Sequence, residues 1–256
     1  MIKEITSRKN ETVLHALSLH EKKVRDREGL FFIEGNKLFS EATEAGGMPL
    51  RIFVTDEFLT AHPDVAQLDT EVIRVTPEVY SKITDESAPE GIFAIFEKGG
   101  VKGKVEKSSV LLLEGVQDPG NLGTLIRCAS AFGVSEVLTV SSADIYNPKA
   151  VRSTMGAIFK IPCISFDSID SAVSYAREKT DTVLATALHS DSITLDGADT
   201  AYATIMIGSE GRGLSDRAIE LADKSVIIPI ENIESLNASV AGAICMYDSM
   251  MKRKKI

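Results

Sequence analysis

A chain of 256 residues, 44% of them hydrophobic, is long enough to form one large domain or two small ones. No apolar run approaches the ~18 residues of a membrane span, and the charged N-terminus lacks the apolar core of a secretory signal. The net charge of −9 argues against a protein that coats nucleic acid through a generally basic surface.

The first part of the chain predicts a small α/β or α+β domain. In chain order we expect a helix near 10–19, a strand at 30–34, a helix after Gly35, and strands at RIFVT, EVIRV and GIFAIF. Residues 96–109 are rich in Gly and Lys and contain almost no apolar side chain, which is typical of a linker.

The second part predicts a parallel sheet covered by helices on both faces. Six apolar segments (VLLLE, EVLTV, CISF, TVLATA, TIMIG and SVIIPI) alternate with segments that resemble helices. The polar segment 189–202 stands where a helix is expected, and long polar loops in compact domains are often functional. Ligands of such sheets bind beyond the carboxyl ends of the strands.

Positive charge is concentrated in two short stretches, KKVRDR at 22–27 and KRKK at 252–255. Either stretch is a candidate for RNA binding. A solvated helix face and a frayed chain end are the alternatives, and the sequence does not separate them. Cys128, Cys163 and Cys245 are widely spaced in apolar surroundings, so we expect reduced core thiols in a cytoplasmic protein. The four histidines lack metal-ligand spacing, and we expect a site without metal.

Three turns that follow predicted strands contain unusual residues. DPGN at 118–121 begins a small-residue helix that carries Arg127, although, taken alone, these residues are better explained as a simple cap and a surface cation. IGSEGRGLS at 207–215 is a glycine-rich turn around Glu210, and its spacing fits neither a dinucleotide fingerprint nor a phosphate-binding P-loop. After Pro229, Ser235 and Asn237 open a helix rich in Ala and Gly, which also suits a tightly packed core helix.

Together and in this order, the three motifs resemble the SpoU (TrmH-type) RNA 2′-O-ribose methyltransferases of the SPOUT superfamily. The resemblance covers roughly 108–251. The matching residues of the first motif are Asn121, Arg127, Phe132 and Gly133, and those of the second are Gly208, Glu210 and Gly211. Those of the third are Ile228, Pro229, Ser235, Leu236, Asn237, Ser239 and Ala241. EGNKLFSEA and SAPEGIFAI in the first part resemble the family's small RNA-binding domain, which is related to ribosomal proteins.

The resemblance implies a fold, a cofactor and a reaction. We expect an RNA substrate-binding domain at 1–97, a linker at 98–108, and at 109–256 a parallel α/β domain with a deep trefoil knot that forms a homodimer. S-adenosylmethionine would donate a methyl group to a ribose 2′-hydroxyl. The residues expected to contact the cofactor are Gly208, Glu210, Ile228, Leu236 and Ala238.

The resemblance also assigns catalytic residues, namely Asn121, Arg127, Glu210, Ser235 and Asn237. Arg127 has been cast in the family as the group that activates the hydroxyl. Because arginine has a pKa above ~12, we favour a cation that stabilises the developing alkoxide and clamps a phosphate. Glu210 and Asn121 are expected to position Arg127.

For RNA contacts we select basic residues of both parts: Arg8, Lys9, Lys22, Lys23, Arg25, Arg27 and Arg152. A separate first domain favours ribosomal RNA of the 23S type over tRNA as the substrate. A non-catalytic RNA-binding protein that retains the fold is the alternative from another class.

Overall fold

The computed structural model describes residues 2–99, 101, 108–188 and 191–254. The chain divides into two compact units, Met1–Gly100 and Val101–Ile256. Most of the predicted linker at 98–108, and Lys255 of the second basic stretch, lie outside the described residues.

The first unit is a five-stranded mixed sheet with helices. Its strands are β1 (Lys3–Ile5), β2 (Leu30–Glu34), β3 (Arg51–Val54), β4 (Glu71–Val75) and β5 (Ile92–Glu97), in the order β1-β4-β3-β5-β2. Strands β1, β4 and β3 are parallel, whereas β5 is antiparallel to both β3 and β2. The helices are α1 (Glu11–Ser18), α2 (Lys22–Glu28), α3 (Asn36–Glu44), α4 (Asp56–Ala61) and α5 (Pro77–Ile83).

Side-chain caps and an aromatic cluster explain much of this unit. Asn10 accepts a hydrogen bond from Thr12 N at 2.9 Å and so starts α1. Phe32 stacks on Phe93, and Phe53 meets the same ring edge-on, so one aromatic cluster links three strands of the core.

The second unit is a seven-stranded, fully parallel sheet, which confirms the predicted α/β class. Its strands are β6 (Val110–Glu114), β7 (Glu136–Val140), β8 (Cys163–Phe166), β9 (Thr182–Thr186), β10 (Ile193–Thr194), β11 (Ala203–Ile207) and β12 (Lys224–Ile227). Their order is β10-β12-β9-β11-β6-β7-β8. The helices are α6 (Pro119–Ala131), α7 (Pro148–Thr154), α8 (Ile169–Arg177), α9 (Asp216–Leu221) and α10 (Ala238–Arg253).

Two local predictions for this unit need correction. The last strand ends at Ile227, two residues before Pro229, because its last paired residue is Ile227, opposite Thr194 of β10. The polar segment 189–202 contains the short strand β10, which pairs with β12, and a 3-10 turn at Leu195–Gly197.

Small residues allow the helices near the site to pack closely. A Cβ on Gly123 of α6 would overlap Ala150 O of α7, and a Cβ on Gly242 of α10 would overlap the Leu125 side chain of α6. Helix α6 is therefore packed tightly against both α7 and α10. In the described part of the chain, no helix has the length and apolar character needed to cross a membrane.

Candidate active site

A cavity of about 530 Å³ lies where β9, β11 and β12 end. Its walls come from four segments: 186–188, 207–210 with Gly213, 226–230, and 234–236 with Ala238 and Ala241. This volume lies within the range of pockets that bind cofactors and other small ligands. Its position agrees with the rule that ligands bind beyond the carboxyl ends of parallel strands.

All five residues expected to contact a cofactor line this cavity: Gly208, Glu210, Ile228, Leu236 and Ala238. Gly208 is packed against the turn that follows, since an added Cβ would overlap the backbone of Gly213 and Leu214. Ser209 and Gly213 close that turn with two backbone hydrogen bonds of 3.1 and 2.9 Å. The glycine therefore lets the turn fold back against the end of β11.

The lining residues fit a ligand that has an apolar ring system and a cationic end. Ile207, Ile228 and Leu236 provide aliphatic surface, while Glu210 and Glu234 provide carboxylates. S-adenosylmethionine has an aromatic base, a cationic sulfonium and an ammonium group, so these residues suit it. Among the described residues, no group of three or more His, Cys, Asp and Glu side chains is arranged to hold a metal ion.

The three sequence motifs meet in one hydrogen-bond network. Asn121 Nδ2 donates to Glu210 Oε1, and Asn237 Nδ2 donates to Asn121 Oδ1 at 3.2 Å. Asn237 Oδ1 also accepts from Ser239 N at 2.9 Å and thereby caps α10. One amide, that of Asn121, thus joins residues that lie 89 and 116 positions further along the chain.

The helix cap of α6 is Asp118, so the Asn121 side chain is left for this network. Asp118 Oδ1 accepts from Asn121 N at 2.8 Å, and Lys149 Nζ lies 3.1 Å from Asp118 Oδ2. The Asn121 N–H first, and then Lys149, lower the pKa of the Asp118 carboxyl below its usual value. Sequence reasoning did not select Asp118 or Lys149, although an Asp directly before a helix-starting Pro is a recognisable cap signal.

Arg127 differs from its expected role in one respect. Its guanidinium is exposed and makes no hydrogen bond or ion pair with any residue that the structure describes. Asn121 and Glu210 bond to each other, and neither contacts Arg127, so their expected role in positioning Arg127 stays a prediction. Six helical residues turn the chain by about 240° and advance it about 9 Å, so Arg127 leaves α6 on a different face from Asn121. Ser235 is exposed in the cavity wall.

The basic residues selected for RNA contact fall into different environments. Arg25 is only 2% exposed and donates from Nη1 to Leu19 O and His20 O, both at 2.8 Å. Its selection as an RNA contact is wrong, because the guanidinium is buried in the first unit and bonded to backbone carbonyls there. Lys22 pairs with Asp26, and Arg27 pairs with Glu28 at 2.7 Å. Those that remain exposed without an ion pair in the described ranges are Arg8, Lys9, Lys23 and Arg152.

The first unit contains a larger cavity, of about 1060 Å³. The two segments that resemble a ribosomal-protein-like domain meet there, because Asn36 N donates to the Glu90 carboxylate. The carboxylates in its lining are those of Glu41, Glu44, Asp56, Glu57 and Glu90. This concentration of negative charge makes the cavity unsuited to RNA phosphate.

Comparison with known proteins extends this description. The model of the SpoU rRNA Methylase family matches residues 108–247, and that of the MRM3-like substrate binding domain matches 10–94. The chain is 33% identical over 248 residues to the 23S rRNA (guanosine(2553)-2'-O)-methyltransferase RlmP of Bacillus subtilis, covering 96% of this chain and 98% of that one. It is 28% identical to the 23S rRNA (uridine(2479)-2'-O)-methyltransferase of Streptomyces viridochromogenes, covering 98% and 93%.

Among solved structures, an AdoMet-bound rRNA methyltransferase from Sinorhizobium meliloti superimposes with a TM-score of 0.84. The two chains are 28% identical, and the match covers 98% of each. The expected family resemblance is confirmed by the family model, which spans more than half of the chain, and by a relative above 30% identity over nearly its whole length. The chain belongs to the SpoU rRNA methylase family.

Proposed function

We propose that the protein transfers a methyl group from S-adenosylmethionine to a ribose 2′-hydroxyl of 23S-type ribosomal RNA. The observation that carries this proposal is the network in which Asn121 joins Asn237 to Glu210, a residue that lines the 530 Å³ cavity. Relatives named as 23S rRNA 2′-O-methyltransferases and a neighbour with AdoMet bound support the substrate class and the cofactor.

When bound, the cofactor supplies a methyl group on a cationic sulfur, which is an excellent leaving group. The protein must therefore align the 2′-oxygen and stabilise the negative charge that develops as the hydroxyl proton leaves to water. Arg127 is the cation we assign to this task, because its guanidinium is exposed on α6 and has no partner in the described ranges. Five N–H donors let one guanidinium contact both an alkoxide and a neighbouring phosphate.

The hydrogen-bond network has a separate task in this proposal. Glu210 is exposed, and its carboxylate accepts from Asn121 while also lining the cavity. Asn237 ties the start of α10 to the same amide. The network thus holds three loops at fixed distances around the cavity, and Ser235 and Asn237 shape the part that faces the substrate.

The proposal includes domain roles and assembly. Residues 1–97 bind the RNA substrate, 98–108 link the domains, and 109–256 form the knotted methyltransferase domain of a cytoplasmic homodimer. A model named for substrate binding at 10–94 supports the first role. Helix α10 exposes Val240, Ile244 and Tyr247 at helical spacing, and this apolar stripe supports a dimer through the second domain.

Transfer of labelled methyl to unmodified RNA, fractionated by size, tests the proposal. We expect alkali-resistant label in large ribosomal RNA, and Arg127→Ala should lower the rate at least about 100-fold while cofactor affinity stays within about twofold. Arg217→Ala is the matched control, because Arg217 is an exposed arginine already paired with Asp170.

Other outcomes assign other functions. Label in the tRNA fraction would keep the reaction and change the substrate. Loss of cofactor affinity in Arg127→Ala would contradict the role given to Arg127. A wild-type protein that neither transfers methyl nor binds the cofactor would support the non-catalytic alternative.

A further inference from the structure

The six arginines of the second unit divide into two groups. Arg177 and Arg217 donate to carboxylates, and Arg253 donates to backbone and hydroxyl oxygens. The guanidinium groups of the other three, Arg127, Arg152 and Arg212, make no hydrogen bond or ion pair within 108–188 and 191–254. Arg127 has a role in the proposed function, and Arg152 was selected from the sequence as an RNA contact. Arg212 has no role assigned to it.

Arg212 lies in the same turn as Glu210. The two backbone hydrogen bonds between Ser209 and Gly213 close the turn, and Arg212 N donates to Ser209 Oγ at 3.2 Å. Glu210 is in turn fixed by Asn121. The backbone of Arg212 is therefore held at a defined place beside the network, while its side chain is exposed.

The residue before it, Gly211, is a glycine that the fold does not require. Its φ lies outside the left-handed region, and no heavy atom lies within 4 Å of the position that a Cβ would take. Its N–H donates to no acceptor in the described part of the chain. Gly208, by contrast, is packed against backbone. Because Gly211 has no side chain, no close neighbour and a free N–H, a ligand can approach its backbone closely from the solvent side.

The position of Arg212 indicates which ligand this is. Ser209, Glu210 and Gly213 line the cavity, whereas Arg212 does not, so its charge lies outside the space assigned to the cofactor. An exposed guanidinium beside a free N–H is a donor arrangement that matches phosphate oxygens. We propose that Arg212 and the N–H of Gly211 bind a phosphate of the RNA next to the methylated ribose. This inference rests on the proposed function and adds a substrate contact to it.

Binding of unmodified, in vitro transcribed 23S-type ribosomal RNA tests the proposal directly, without methyl transfer. Arg212→Ala should weaken RNA binding about tenfold and lower the salt slope by about one, and Arg212→Lys should recover part of the affinity. Lys224→Ala is the matched control. It removes one exposed positive charge from the first residue of β12, at the opposite end of that strand, and should change neither quantity.

The affinity of each variant for S-adenosylmethionine, measured by calorimetry, should stay unchanged. If Arg212→Ala lowers cofactor affinity and leaves RNA affinity intact, Arg212 belongs to the cofactor site and the proposal is wrong. Equal losses in Arg212→Ala and Lys224→Ala would mean that only overall charge matters, which also overturns it. Absence of methyl transfer by the wild-type protein would contradict the proposed function, while the RNA-binding comparison would still decide the role of Arg212.

Discussion

The basic stretches that stand out in the sequence differ from three scattered arginines of the second unit in what their charges contact. In α2, Lys22 pairs with Asp26, and Arg25 is buried against carbonyl oxygens. In the second unit, Arg127, Arg152 and Arg212 are far apart in the sequence, and their guanidinium groups have no partner in the described ranges. The scattered arginines are available to bind a ligand, whereas most of the clustered basic side chains already bind carboxylates or carbonyls of the protein.

The end of α10 shows the same behaviour as α2. Lys252 Nζ donates to three backbone carbonyls, those of Leu195, Asp196 and Ala198, at 2.7–3.1 Å. Arg253 donates to Phe132 O at 2.6 Å and to the Ser109 hydroxyl. A cation that gives up such partners to bind phosphate loses about as much as it gains. Charge density along the chain therefore does not measure the charge available to RNA.

The largest effect that tests this comparison is expected from Arg25→Ala. The change removes two hydrogen bonds to carbonyls and a fully buried side chain. We therefore expect the free energy of unfolding of the first domain to fall by about 3 kcal/mol. Urea unfolding followed by circular dichroism measures it. Arg27→Ala on the same helix, where an exposed ion pair is lost, should cost about 0–1 kcal/mol.

A fall in RNA affinity without a loss of stability in Arg25→Ala would contradict this account. It would mean that, in solution, the Arg25 guanidinium dissociates from its carbonyl partners and is available to bind RNA.

The second effect is expected from Arg253→Ala. Its guanidinium holds the end of α10 to Phe132 O after α6 and to Ser109 before β6, so its loss leaves several acceptors unsatisfied. We expect a loss of about 2 kcal/mol in the stability of the second domain, with methyl transfer retained at low temperature. Lys254→Ala, one residue further along and exposed, is the control that should leave stability unchanged. If the two variants are equally stable, the contacts of Arg253 do not stabilise the domain, and its charge is available to bind RNA.

The sequence was sufficient to predict six of the seven strands of the parallel sheet and the residues that meet at its carboxyl edge. Parallel strands bring the ends of β6, β11 and β12 to one edge, so Asn121, Glu210 and Asn237 had to lie near each other once the strands were recognised. Gly208 was also recognisable, because a glycine directly after a buried strand indicates a close backbone approach.

What the sequence did not predict depends on packing across the chain. The burial of Arg25 results from the turn between α1 and α2, where carbonyls of Leu19 and His20 face the helix. The guanidinium of Arg127 does not reach the network because Arg127 and Asn121 lie on different faces of α6. Strand β1 has three residues and α4 six, which is too short for a periodic pattern.

The smallest effect concerns Lys22 and Lys23, which are neighbours in sequence but differ in their contacts. Lys23 is exposed without an ion pair in the described ranges, whereas Lys22 must leave Asp26 before it can contact a phosphate. Lys23→Ala should therefore weaken RNA binding two- to threefold, by about 0.5 kcal/mol, and lower the salt slope by about one. Lys22→Ala should leave the slope unchanged. Filter binding at several salt concentrations measures both, and equal slopes for the two variants would mean that an existing ion pair does not decide which cation RNA uses.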